Sequence, residues 1–206
     1  VGGGLVTFNC GPGNVVIPVN THVIATGEAT IVDGANGITL DGEDSRQHFY
    51  VLNGASLHLR RIVLQHGRST AGGAILNQGS LLVESARLIS NVAEAFGSGG
   101  AIYNDSASQL TVQDSTFRSN VAQAGGGAIQ NLGHVDVTTS LFELNSAGLD
   151  GGAIQNNGGD ARIDRSTLSV NAATNGAGNE LNGGTFRVRR STLIGNGAFG
   201  QGGGIR

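Results

Sequence analysis

The sequence contains no methionine, no tryptophan and no lysine; all 12 of its basic side chains are arginine. Without lysine there is no Schiff-base chemistry, no lysine general base and no phosphate-loop lysine. Without methionine, the chain reads as a processed or excised piece of a longer protein. The single Cys10 cannot form an internal disulfide, and no Cys/His spacing suits zinc, so cysteine does not report the compartment. Two prolines exclude a proline-rich linker, and glycine lacks the triplet period of collagen. Charged residues make up only 13%, and a net charge of −3 gives no basic footprint for nucleic acid. No apolar run approaches the roughly 18 residues of a membrane helix, so membrane insertion by this segment is not expected. An apolar share of 38%, mostly Ala, Val, Ile and Leu, argues against disorder.

Glycine is what the chain has instead, at 36 of 206 residues. It marks a repeat. Gly72-Gly73-Ala74-Ile75 returns at Gly99, Gly126 and Gly151, with a degenerate copy at Gly176 to Asn179 and a last one at Gly202 to Ile205. The isoleucines step by 27, 27 and 25 residues, then by 51, which is two further steps. A second mark keeps constant phase with the first: Leu88/Asn91, Phe117/Asn120, Phe142/Asn145, Leu168/Asn171 and Leu193/Asn196. Self-similarity at this period is the signature of a stacked-repeat architecture.

Inside one repeat the apolar period is two, as in Leu81/Val83, Leu110/Val112, Val135/Val137 and Phe186/Val188. Such alternation means half-buried strands. About three short strands per repeat, in a chain that never reads as helix, predict an all-β fold. The expected architecture is a right-handed parallel β-helix of about eight coils, 25–27 residues each. A leucine-rich repeat has a similar period but needs a denser leucine template. Coils stacked about 4.8 Å apart would make a rod roughly 38 Å long. Asn91, Asn120, Asn145, Asn171 and Asn196 are then expected to form a buried ladder of amides bonded from coil to coil. Ala93, Ala122, Ala147, Ala173 and Ala198, each two residues further on, would fill a narrow corner. The whole of 1–206 reads as one β-helix domain, with 1–70 as about three less regular lead-in coils and 71–206 as regular repeats. Its last coil edge lacks a polar cap, which predicts end-to-end self-association or continuation of the stack.

The Gly-Gly-Ala-Ile mark followed by Phe-x-x-Asn resembles the repeats of polymorphic outer-membrane proteins and of large bacterial surface proteins with β-helix repeats. Val6 to Gly11, Ile38-Thr39-Leu40-Asp41-Gly42 and Leu57 to Leu64 look like the lead-in coils of those proteins. The resemblance implies export to the cell surface or extracellular space and a role in adhesion or scaffolding. It implies no catalytic motif and no cofactor.

Four polar features are candidates for chemistry. Asp41-Gly42-Glu43-Asp44 places three carboxylates where they either hold Ca²⁺ or form a solvated turn. The glycine-aspartate nonapeptide of calcium-binding solenoids is missing, so no metal is expected. The residue after each mark's isoleucine gives an outward row of Leu76, Tyr103, Gln130, Gln155 and Glu180, which reads as a shallow glycan groove or a solvated polar row. His134 with Asp136 and Asp160 offers a His–carboxylate neighbourhood, yet no third group orients it and no insertion walls a cleft. His22, His48, His58 and His66 read as ordinary surface residues. Finally, Asp136/Arg162/Arg187 and Thr138/Asp164/Arg189 form two outward charged rows, with Arg187, Arg189 and Arg190 as a small basic patch. The expected function is a non-catalytic surface module, with glycans or other surface proteins as partners. The competing class is a polysaccharide lyase or hydrolase on the same fold, which would need clustered acids and sugar-stacking aromatics.

Overall fold

The computed structural model describes residues 3–11, 13–27 and 29–206. All of the regular structure of these residues is strand, and the strands pair in parallel, winding about eight coils into a β-solenoid. The first coil uses short strands, Gly4–Thr7, Val15–Pro18 and Val23–Ala25, whereas the second and third use long ones, Thr30–Arg46 and Ser56–Ala71, that bend through their corners without interruption. From the fourth coil on, each turn splits into short strands. The fifth coil, for example, runs Gln109–Gln113, Thr116–Arg118, Val121–Ala122 and Ile129–Asn131.

That makes four strands per regular coil, not three, and the extra break has a local cause. A single residue in the left-handed region sits before each of two corners: Asp114 at φ 48° and Ser119 at φ 55° in this coil. One such residue reverses the local twist enough to separate the strands on either side. The corners recur at Thr139 and Leu144, and again at Arg165 and Val170. In the third coil, Arg61 and His66 hold the same conformation.

The inward rows pack in register. Ile75, Ile102, Ile129 and Ile154 align on the fourth strands, and Val83, Val112, Val137, Ile163 and Val188 on the first. All but Val188, on the eighth coil, are buried. Phe117 and Phe142 stack with ring centroids 4.7 Å apart and planes 7° off parallel. Each such side chain contributes roughly 1.5–3 kcal/mol when fully buried.

Polar ladders occupy the corners. In the expected asparagine ladder, Asn120 Oδ1 accepts from the backbone N–H and the Nδ2 of Asn91, both at 3.0 Å. Asn145 receives the same two bonds from Asn120, Asn171 from Asn145 and Asn196 from Asn171. Each Nδ2 also donates to a carbonyl of the preceding coil, as Asn145 does to Phe117 at 3.0 Å. A second asparagine ladder runs through Asn77, Asn104, Asn131 and Asn156, with Nδ2–Oδ1 distances of 2.6–2.7 Å. A third ladder is serine: Ser115, Ser140, Ser166 and Ser191 each accept a backbone N–H from the coil before.

Glycine has two separate duties in the repeat mark. Gly72, Gly99, Gly126 and Gly151 take φ of 66–70°, which side-chain-bearing residues reach only under strain. Gly73, Gly100, Gly127 and Gly152 are conformationally ordinary, but a β-carbon there would run into the next coil's carbonyl. Both end coils leave apolar surface open. At one end a hollow of about 380 Å³ is lined by Phe8, Ile17, Val32 and Phe49 among others. At the other, Phe186 and Leu193 are only half-buried, and Phe199 is 91% exposed.

Candidate functional site

The row Leu76, Tyr103, Gln130, Gln155, Glu180 keeps its expected register along the fourth strands. It is not an open surface, however. Tyr103 is half-buried, and Gln130, Gln155 and Glu180 are buried. The glycine-rich segments that enter this face lie across it, Gly125 against the Gln155 amide and Gly176 against the Glu180 carboxylate. Asp150 accepts from Asn175 Nδ2 at 3.0 Å and Gln155 Nε2 at 3.4 Å. Burial raises the Glu180 pKa, opposed by Arg206 at 3.6 Å and reinforced by Asp150. Burial likewise raises the Tyr103 phenol, helped by Asp105. Strand parity separates these residues from the inward isoleucine row, but parity carries no information about a segment folding over them.

His134 and Asp160 are neighbours across adjacent coils, in register. The imidazole nevertheless bonds within its own strand, Nε2 to Asp136 Oδ2 at 2.8 Å. Asp160 instead accepts from Thr185 Oγ1 at 2.6 Å. The pair is flanked by a shallow, open depression with Ser106, Gln109 and Gly159 on its rim.

The Asp41-Gly42-Glu43-Asp44 segment forms a corner inside the strand Thr30–Arg46, with Glu43 and Asp44 at φ 50° and 52°. Asp41 accepts from the Glu43 N–H, Gln65 Nε2 and His66 Nδ1. Burial pushes its pKa up, and these three bonds outweigh that and hold it low. Among the described residues no three His, Cys, Asp or Glu side chains are grouped to hold a metal.

Three of the histidines expected at the surface are not plain surface residues: His48, His58 and, on Asp41, His66. His48 is 1% exposed, because Phe49 and the fourth-strand stack carry it into the core, and desolvation lowers its pKa to about 4. His58 pairs with Glu84 at 2.8 Å. Nearby, Asp33 is buried under Arg60 and Arg61, and the Arg61 hydrogen bond holds its carboxyl at about 2.

The charged rows on the first strands produce the open feature. A depression of about 500 Å³ crosses the fifth to eighth coils, lined by Thr111, Gln113, Asp136, Thr138, Arg162, Asp164, Arg187, Arg189 and Arg190. Register places Asp136, Arg162 and Arg187 in one row and Thr138, Asp164 and Arg189 in the next. Asp164 is occupied by Arg190, at 2.9 Å through both Nε and Nη2, and by Arg165 at 3.5 Å. Asp136 is occupied by His134.

Residues 114–132, the corner and later strands of the fifth coil, match the Chlamydia polymorphic membrane protein repeat. No curated protein and no solved structure matches the chain. The matched repeat, the recurrence of its corner geometry in neighbouring coils and the parallel stack together make this chain a β-helix repeat protein similar to the polymorphic membrane proteins.

Proposed function

We propose that the chain is a non-catalytic module of a cell-surface β-helix, serving as stalk, adhesin or assembly unit. The observation that carries this reading is the run of asparagine and serine ladders through coil after coil, with short corners between them. From Asn91 to Asn171 each ladder amide bonds to the coils on both sides, so the design favours length and rigidity. The match to a membrane-protein repeat supports placement at the surface. As an assembly unit the module stacks edge to edge with further coils, of the same chain or another.

Protease treatment of intact cells expressing the tagged parent protein tests the placement: the β-helix should be shed or cleaved without lysis. Sedimentation across a concentration range tests stacking. A panel of acidic and neutral polysaccharides tests the non-catalytic reading, and turnover that disappears in His134→Ala or Asp160→Ala contradicts it.

A further inference from the structure

Arg162 and Arg187 stand directly opposite each other on adjacent parallel strands. Strands in a sheet lie about 4.8 Å apart, and like charges placed opposite one another destabilise the pairing. Elsewhere the solenoid relieves such crowding: Arg60 and Arg61 share Asp33, Arg68 has Glu94, and Arg118 has Glu143. In the groove that relief is missing. Asp164 is taken by Arg190 and Arg165, and Asp136 by His134. Arg162, Arg187 and Arg189 have no carboxylate partner among the described residues, and all three are exposed. A chain of net charge −3 thus concentrates three unpaired guanidinium groups in one groove.

We infer that this groove binds an acidic polysaccharide, laid along the solenoid axis. The Arg162/Arg187 rung and Arg189 take its sulfate or carboxylate groups, guanidinium being suited to planar, two-point contact with such anions. At the other end, Thr111, Gln113 and Thr138 offer hydroxyl and amide groups to sugar hydroxyls. The groove crosses four coils, roughly 14 Å at sheet spacing, which is longer than one small anion needs. No aromatic side chain lines it, so it lacks the stacking platform with which proteins hold single-stranded nucleic acid. This inference is independent of the stalk reading, since a solenoid with an empty groove still stacks.

The test is fluorescence anisotropy of the full chain with a labelled heparin hexasaccharide and, in a second arm, an oligogalacturonate of equal length. These separate sulfate from carboxylate as the recognised group, and binding in either arm supports the proposal. Arg162→Gln/Arg187→Gln should weaken binding at least tenfold, and Arg162→Lys/Arg187→Lys by an intermediate factor. Arg46→Gln, on the second coil and outside the groove, should leave it unchanged. Three outcomes overturn the proposal: no binding in either arm at low salt, an equal loss in Arg46→Gln, or tighter binding of a labelled oligothymidylate than of both glycans. Unchanged sedimentation of each variant establishes that the fold is intact.

Discussion

His48 Nε2 lies 3.0 Å from the carbonyl of Leu40, repeating one coil earlier the bond that Asn91 Nδ2 makes to Leu64 at 3.2 Å. Leu40, Leu64 and Leu88 are aligned in register, so these carbonyls are equivalent. The ladder position of the third coil is Gly67, whose N–H donates to Asn91 Oδ1 at 2.8 Å but which has no amide of its own. A β-carbon on Gly67 would meet His48 Cε1 at 2.8 Å. The imidazole therefore occupies the space of the missing asparagine and ends the ladder with the donor it needs.

This makes stability depend on pH. The His48 pKa is about 4 in the fold and near 6.5 unfolded, so between these values the unfolded chain holds the extra proton. Stability should be complete above about pH 6.5 and fall as pH drops toward 4, by up to roughly 3 kcal/mol. Asp41 opposes this shift and His66 adds to it, so both belong in the control set. Urea unfolding at pH 4.5 and 7 checks it: His48→Gln should flatten the difference. An equally steep dependence in the variant would assign it to other groups.

Asn145→Leu should cost on the order of 3 kcal/mol. It strands the Asn120 N–H and Nδ2 above, and removes the donor to Phe117 and Asn171. Asn157→Leu, on an exposed turn, should change stability far less. Thermal unfolding of the two variants gives the comparison.

The second glycine of the mark should respond differently from an exposed glycine. Gly127→Ala forces a methyl group against the backbone of Gly152 and Ser146, and overpacking of this kind costs about 1–3 kcal/mol. Gly197→Ala meets nothing within 4 Å at an ordinary φ, and should be neutral or gain about 0.5 kcal/mol. Chemical denaturation midpoints should move in opposite directions or by clearly different amounts.

Val170 holds φ 55° while 52% exposed, an uncommon state for a β-branched residue. The same corner carries Ser90, Ser119, Leu144 and Gly195 in other coils. Val170→Asn should raise stability by about 1 kcal/mol, because asparagine tolerates the left-handed region and little apolar burial is lost. A lower melting temperature would show that the valine makes contacts worth more than its strain.

Most of the fold was legible because a stacked coil repeats its physics at a fixed period. Isoleucine, phenylalanine and asparagine at constant phase declare the inward rows, and the structure buries them there. The second asparagine ladder was equally periodic: Asn77 and Asn104 follow their isoleucines by two, which strand parity turns inward. The serine ladder is harder to see, because its bonds run from backbone N–H to hydroxyl and its neighbours vary. Two features were not legible. Gln130, Gln155 and Glu180 are buried by the glycine-rich approach to the mark, whose period is plain in the sequence but whose path across the sheet face is not, and His48 fills a gap created by one glycine in the neighbouring coil. The arginine groove was visible as charged rows, but which arginines remain unpaired follows from side-chain geometry alone.

The most direct test of the stacked-coil account is side-chain amide exchange, followed by NMR on the isotope-labelled chain in D₂O. The Nδ2 protons of Asn91, Asn120, Asn145 and Asn171 are buried and bonded to the neighbouring coils. They should persist as long as the central backbone amides, while those of exposed Asn157 vanish within the dead time. Exchange of the four ladder amides as fast as Asn157 would contradict the parallel stack.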